Sequence, residues 1–398
     1  MTVLVVAVGP PVLEQELVRA GHTDFVSVVP EAYAGLRGDG HPVVPVRSLD
    51  DYAALAAVAR AHPGAGAVLT VQEEGMRAAA FLRDLLGLPG AGLGEAVRFT
   101  DKTLMKRLLA AAGLPVAANT RVASLDAVPA AAELIGWPVV VKPAAGGGTE
   151  NVWRADGPAH LERLAAEGHL APLSACGSLV VEAFVDVRTE YHCDALHVGG
   201  REVYAHVGRY PAPLLAGLGA TGGTTLLPDT DPVAAAVLDL HRASLRALGQ
   251  TDGFTHGEFF GTPDGLMVGE VAARPGGAGL PRALFHQYGI DVRAWAVDLA
   301  LDRPLRPVGG ARADVISWLT LPARPGRIHH VSSAKDLREL PGVIEAVMRY
   351  GPGDLFDRPR SSIAYAGHVY LASTSPEEAT TDIERVLAAY RFELDTDA

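Results

Sequence analysis

Apolar runs of strand length recur along the first quarter of the chain, separated by stretches of helical period. Val3–Val8 is an apolar run ended by Gly9-Pro10-Pro11. Val12, Leu13, Leu17 and Val18 then fall on one helix face, and Phe25–Val29 is a second apolar run. Ala53–Arg60 reads as a helix, Ala67–Val71 as a strand and Met76–Leu86 as a helix. Apolar strands alternating with helices are what a parallel sheet covered on both faces requires. Residues 1–95 are therefore expected to form a small parallel α/β unit.

Further along, Asp101–Ala112 reads as a helix. Thr100 or Asp101 can cap it, Leu104, Leu108 and Leu109 share a face, and Gly113 with Pro115 ends it. Trp137–Pro143 has the pattern of a buried strand and runs into Ala144-Ala145-Gly146-Gly147-Gly148-Thr149. Ser178–Phe184, Tyr191–Val198 and Val203–Val207 read as strands, Gly217–Thr225 as a Gly/Thr-rich loop and Val233–Leu248 as a helix. Phe254–Gly261 and Leu266–Ala272 flank Pro263-Asp264-Gly265 and read as a hairpin. Short strands and helices alternate through the tail, without an internal repeat.

Composition narrows the class. The 398 residues are 48% hydrophobic and 20% charged, which is globular, and the formal net charge of −12 argues against a duplex nucleic-acid partner. No apolar run reaches membrane-spanning length. The start lacks the basic segment of a signal peptide, so a cytoplasmic location is expected. Cys176 and Cys193 make no disulfide framework. No Gly-Lys dipeptide occurs, which excludes a Walker A loop. Gly90, Gly92 and Gly94 follow a helix rather than a strand, which argues against a dinucleotide fingerprint and a hydride-transfer enzyme. Arginine supplies almost all of the basic charge; the lysines are Lys102, Lys106, Lys142 and Lys335.

Candidate chemistry follows from position. A three-residue loop at Pro263-Asp264-Gly265 pairs Thr262 with Leu266 and sets Glu258 opposite Glu270. Opposed like charges repel, so a cation such as Mg²⁺ between them is one reading and an ordinary surface hairpin the other. His256 shares the Glu258 face, and Arg274 the Glu270 face. Lys142 ends an apolar strand before a glycine turn, where an anion would offset its burial; a lysine reaching solvent is the alternative. Lys102 lies in the first turn of its helix, where the dipole opposes a cation, so an external anion or plain solvation accounts for it. Lys106, one turn on, is expected to be a solvated helix residue. Val180-Val181-Glu182-Ala183-Phe184 and Glu190 could meet a purine edge and a ribose, or form salt bridges.

In this order and spacing, these segments resemble the ATP-grasp superfamily, and its carboxylate–amine ligase branch in particular, from residue 1 to about residue 300. The resemblance implies an N-terminal Rossmann-like domain over 1–95 and a central small lobe with the Gly-rich loop over 96–185. It implies a large lobe carrying the nucleotide, metal and acyl-phosphate site over 186–305, and a C-terminal α+β extension over 306–398. It implies ATP and Mg²⁺ as cofactors, with Mn²⁺ as a substitute. Lys102, Lys142, Gly146, Gly147 and Gly148 would hold phosphates; Glu182, Ala183 and Phe184 the adenine; Glu190 the ribose. Glu258 and Glu270 would hold metal, and Arg274 with Lys142 would act in catalysis. Two positions depart from the usual pattern: Ala272, where many members have Asn, and Thr149-Glu150-Asn151 after the glycines.

The implied reaction joins a carboxylate to an amine through an acyl phosphate, and the body around Glu258–Gly277 most resembles dipeptide-forming L-amino-acid ligases. Glu74, Arg209, His256, Arg282 and His286 are candidate substrate contacts. The implied partners are small molecules, with a homodimer as the family expectation. The alternatives are an ATP-grasp carboxylase or ribonucleotide synthetase, and a catalytically silent nucleotide-binding protein.

Overall fold

A computed structural model describes residues 1–38, 40–147, 151–215, 221–305, 314–357 and 365–395. The chain starts with β1 (Thr2–Val6), α1 (Val12–Arg19), β2 (Phe25–Pro30), α2 (Glu31–Ala34), β3 (Val43–Val46), α3 (Tyr52–Ala61) and β4 (Ala65–Leu69). A single 3₁₀ turn over Glu73–Gly75 leads into α4 (Met76–Leu86) and α5 (Leu93–Thr100). The four strands form a parallel sheet in the order β3-β2-β1-β4. Alternation along β1 feeds two cores. Leu4 and Val6 pack with Leu55, Val58 and Leu82 of the flanking helices, whereas Val3 and Val5 join a cluster that includes Trp295 and Trp318. β4 lies two residues earlier than the apolar run suggested, because its pairing with β1 begins at Ala65. β3, with a proline at its third position, gave no apolar run to read.

The next unit holds α6 (Lys102–Ala111), β5 (Asn119–Val122), α7 (Val128–Ile135), β6 (Val139–Pro143), β7 (Trp153–Ala155), α8 (Pro158–Ala166) and β8 (Leu179–Ala183). Its four strands form an antiparallel sheet in the order β5-β8-β6-β7. Asp101 caps α6 by accepting from the Thr103 and Leu104 amides at 3.1 and 3.0 Å.

The remaining elements are β9 (Thr189–Val198), β10 (Arg201–Arg209), β11 (Gly223–Leu226), α9 (Pro232–Leu248), β12 (Gly253–Thr262), β13 (Gly265–Ala272), α10 (Leu280–Tyr288) and α11 (Val292–Ala300). They continue as β14 (Val315–Leu321), β15 (Gly326–Val331), α12 (Ala334–Arg338), β16 (Val343–Met348), β17 (Leu355–Phe356), β18 (Gly367–Ser373), α13 (Pro376–Ala389) and β19 (Phe392–Leu394). One eight-stranded antiparallel sheet runs β13-β12-β9-β10-β11-β14-β18-β16, so strands on both sides of residue 305 share it. Residues 306–313, where the sequence sets the start of the C-terminal region, lie outside the described residues.

Part of the expected Gly/Thr-rich loop is in fact strand β11. Gly223 sits at φ +144° with a would-be Cβ 2.1 Å from the Trp318 carbonyl, so only glycine lets β14 approach this closely. Among the described residues no helix is long and apolar enough to cross a membrane.

Candidate active site

Helix α6, the small-lobe sheet, the β9/β12/β13 edge of the large sheet and the turn after β4 converge on one place. The Lys102 amide donates to the Ala144 carbonyl at 3.0 Å, which fixes the start of α6 against the Gly-rich turn. The Lys102 ammonium contacts the Gly146 carbonyl and lies 3.1 Å from Glu270 Oε1. These oxygens compensate a cation that the helix dipole disfavours.

Lys106 corrects the expectation of a solvated residue: it is 1% exposed. Its Nζ lies 2.5 Å from Glu182 Oε1, and Lys142 Nζ lies 2.7 Å from Glu182 Oε2. One carboxylate thus bridges two lysines between α6 and β6. Burial by itself would raise the Glu182 carboxyl, but the two ammonium charges outweigh it and hold it down to about 2. Burial also lowers Lys106, which Glu182 opposes incompletely, whereas Lys142 is raised because Glu182 and Glu270 together overcome its burial.

On the large sheet, alternation sets Glu190, His192 and Asp194 of β9 on the same face as His256 and Glu258 of β12 and Glu270 of β13. Glu258 lies opposite Glu270, as expected, but by a different route. The turn pairs Thr262 with Gly265, one position off the expected register, and a bulge between Phe259 and Glu258 restores the opposition. Gly269 makes the bulge feasible, since a Cβ there would meet the Phe260 ring at 2.6 Å. Glu190 is buried and accepts from the Leu214 amide at 2.7 Å; burial and then the nearby Glu258 charge push its carboxyl up to about 8.

Behind Glu258 runs a buried polar chain that the sequence reading missed. Asp194 Oδ2 is 2.7 Å from His192 Nδ1, and Asp194 Oδ1 is 3.0 Å from both His256 Nδ1 and the Gly276 amide. His192 Nε2 reaches Thr224 at 2.7 Å, and His256 Nε2 lies 3.7 Å from Glu258 Oε1. Asp194 thereby ties β9 and β12 to the loop that carries Arg274. The alternation Glu190, His192, Asp194 among Tyr191, Cys193 and Ala195 was the available signal: polar on one face, apolar on the other.

Arg274 is clamped. Its Nε donates to Glu73 Oε2 at 2.8 Å and its Nη1 to the Pro275 carbonyl at 3.0 Å. Its Nη2 faces Gly147, 3.8 Å from where a Cβ would stand. Glu73 is therefore the acid of this turn that reaches the site, where the sequence pointed to its neighbour Glu74.

The structure brings together Lys102, Lys142, Gly146, Gly147, Glu182, His256, Glu258, Glu270 and Arg274, with Glu190 beside them. Gly148, Thr149 and Glu150 lie outside the described residues. Ala183 ends β8 and Phe184 follows it, but their amides already donate to the Ala118 and Pro138 carbonyls, and Arg154 stacks 4.0 Å over the Phe184 ring. Arg209 lies on the opposite sheet face, paired with Tyr191. Arg282 and His286 both bind Glu345 at 2.8 Å, tethering α10 to β16 rather than facing the acids.

Glu258 and Glu270 suit a hard divalent cation: they are oxygen donors, directly opposed on adjacent strands, and a cation relieves their repulsion.

Comparison with known proteins adds two local matches. Residues 318–395 match the family described as L-amino acid ligase C-terminal domain 2, and residues 101–197 match the ATP-binding domain of the carbamoyl-phosphate synthase L chain. Over 336 residues the chain is 30% identical to the L-arginine-specific L-amino acid ligase of Bacillus subtilis, covering 83% of this chain and 80% of that protein. In fold it matches the L-amino acid ligase of Bacillus licheniformis with TM-score 0.77 at 18% identity, covering 99% of each chain. It also matches a carboxyaminoimidazole ribonucleotide synthase from Aspergillus clavatus, solved with ATP, with TM-score 0.70 at 14% identity, covering 98% of this chain and 99% of that one.

Proposed function

Because the chain belongs to the L-amino acid ligase family of ATP-grasp enzymes, ATP-dependent ligases that form C–N bonds, we propose that its substrates are two amino acids joined through an acyl phosphate. The observation that carries this reading is the setting of Arg274: a guanidinium held by two fixed acceptors, with its third nitrogen facing the Gly-rich turn beside Glu270 and Lys102. A cation fixed there is placed to stabilise negative charge that develops on an acyl phosphate and its tetrahedral adduct.

In this reading the acid's carboxylate oxygen attacks the γ-phosphorus of ATP and ADP departs. The nitrogen, as the free amine, then attacks the acyl carbon, the C–O bond to phosphate breaks, and the proton lost from nitrogen leaves with the phosphate. Lys102, Lys142 and the backbone of Gly146 and Gly147 orient the phosphates, and Lys106 holds Glu182 in place between the lysines. Glu258 and Glu270 would hold a divalent cation, Mg²⁺ or Mn²⁺, which would supply charge neutralisation during phosphoryl transfer. Residues 1–95 then face the amine, 96–185 and 186–305 enclose ATP, and 306–398 backs the large lobe. Assembly as a homodimer in the cytoplasm is part of the same reading.

The test is an ADP-release screen with ATP, Mg²⁺ and pairs of L-amino acids, with peptide mass as the second readout. L-Arginine is the first acid to offer, since the Bacillus subtilis relative is named for it. Amine-dependent ADP release is expected, and Arg274→Ala is expected to lower kcat about 10²–10³-fold. ADP release driven by bicarbonate or a phosphoribosyl amine, and by no amino acid, would replace this reading with a carboxylase or ribonucleotide synthetase.

A further inference from the structure

Glu270 carries a cation supplied by the chain itself. The Lys102 ammonium lies 3.1 Å from Glu270 Oε1 and donates to the Gly146 carbonyl. Its charge also reaches Glu73 and Glu258. The neighbouring cations are held elsewhere. Lys142 pairs with Glu182, Arg274 with Glu73 and the Pro275 carbonyl, and His256 with Asp194, leaving its Nε2 3.7 Å from Glu258. Among the described residues, the ion-pair partner of Glu270 is Lys102. Burial does not keep other cations away, since the Glu258 and Glu270 side chains are 29% and 23% exposed.

Two roles collide at this oxygen. A small divalent cation on a carboxylate sits ~2.1 Å from the oxygen it takes. An ammonium 3.1 Å from that same oxygen then lies within about 5 Å of the ion, where like charges repel strongly. The base of Lys102 cannot yield, because its amide is fixed on the Ala144 carbonyl and Asp101 caps the helix it starts. The side chain can, since its charge rides on a flexible four-carbon stem. One movement resolves the collision: the ammonium leaves Glu270 for a phosphate oxygen.

We infer that Lys102 is a tethered counter-ion that keeps free divalent cations off Glu258 and Glu270 until a nucleotide phosphate draws its ammonium away. The inference rests on the nucleotide and metal assignments of the ligase reading and adds an order to them. Attachment to the chain presents the ammonium to the acids at a high effective concentration, which a free ion must overcome. Lys102 leaves as the phosphate binds, so the acids open to a metal that the nucleotide carries. The same ammonium ties the Gly146 carbonyl to Glu270, so its departure also releases the glycine turn from the acids. Metal and nucleotide are thereby coupled through one side chain, and removing that side chain strengthens the binding of metal alone.

Free Mn²⁺ is titrated onto the full chain without nucleotide, and the unbound ion is counted by its electron-spin-resonance signal. Wild type is compared with Lys102→Met, Lys102→Gln, Lys142→Met and the double variant Lys102→Met, Glu270→Gln. Lys102→Met is expected to bind Mn²⁺ roughly tenfold more tightly than wild type or better. Mn²⁺ should also raise its melting temperature more than that of wild type. Lys102→Gln takes its place if Lys102→Met melts below wild type before metal is added. Lys142→Met removes the same charge from the Glu182 side and should gain less than half of that factor. The double variant should lose the added affinity. A smaller gain at Lys102, or none, would overturn the inference. So would a gain of half the factor or more in Lys142→Met, which would reveal a general loss of positive charge. Survival of the tight site in the double variant would overturn it too, since the ion would then sit elsewhere. The titration contains no amino acid, so a failed ligase screen leaves its result standing, and a failed titration leaves the ligase reading standing.

Discussion

Among single residues, Lys106 has the sharpest consequences. A fully buried ammonium is tolerated because Glu182 meets it at 2.5 Å and because Glu182 is itself shared with Lys142. Without Lys106, Lys142 still balances the Glu182 charge, but the buried Oε1 loses its partner, so Lys106→Met should lower the free energy of unfolding by about 2 kcal/mol, read from urea denaturation. The pH dependence has a definite sign. Glu182 is held at about 2 in the folded chain against an ordinary 4.5. Its contribution is therefore present above pH 4.5 and fades as pH falls towards 2. Wild type should lose stability over that window, and Lys106→Met should lose less of it. This role was not legible in the sequence, because Lys106 and Lys102 share a helix face, and only the packing of β8 against that face pairs Lys106 with Glu182 while Lys102 meets Glu270. Glu73 and Glu74 are a similar case: adjacent acids in one 3₁₀ turn, chosen between by a contact 201 positions away.

At the scale of elements, the loop between β13 and α10 is where the candidate site is most exposed to small shifts. Gly276 packs so that a Cβ would stand 2.2 Å from a Leu280 methyl and 2.5 Å from Asp194 Oδ1. Gly276→Ala must displace the loop that carries Arg274, and a misplacement of about 1 Å costs roughly 10²-fold in kcat. The expected outcome is that loss with KM for ATP changed little, measured by steady-state ADP release. This scale also marks where reading from sequence stops. The long periodic helices α4, α6 and α9 and the apolar strands β1, β6 and β8 were legible, because their patterns are local. The Glu258–Glu270 opposition was legible too, yet through a turn register that was one position off and a bulge that compensated. Bulges and short strands such as β11 are decided by the partner strand: Gly223 means loop until β14 is known to lie against it.

For the whole molecule, the eight-stranded sheet is the organising fact. The edge that bears Glu258 and Glu270 comprises β13, β12 and β9, and the far edge β14, β18 and β16, so the tail completes the same sheet that bears the acids. A chain ending at residue 305 would leave β11 as an open edge and strip the partners of Leu226 and Trp295 from the core. Such a truncation should partition to the insoluble fraction on expression where the full chain stays in the supernatant, as read by centrifugation and gel. The same connectivity sets a schedule for birth on the ribosome. Between the emergence of β11 and that of β14, the ribosome works for roughly 5 to 20 s at the usual elongation rates. During that interval the nascent chain carries a finished small lobe beside an unfinished sheet, and its unpaired strand is open to any chaperone, or any sister chain on the same message, that arrives first.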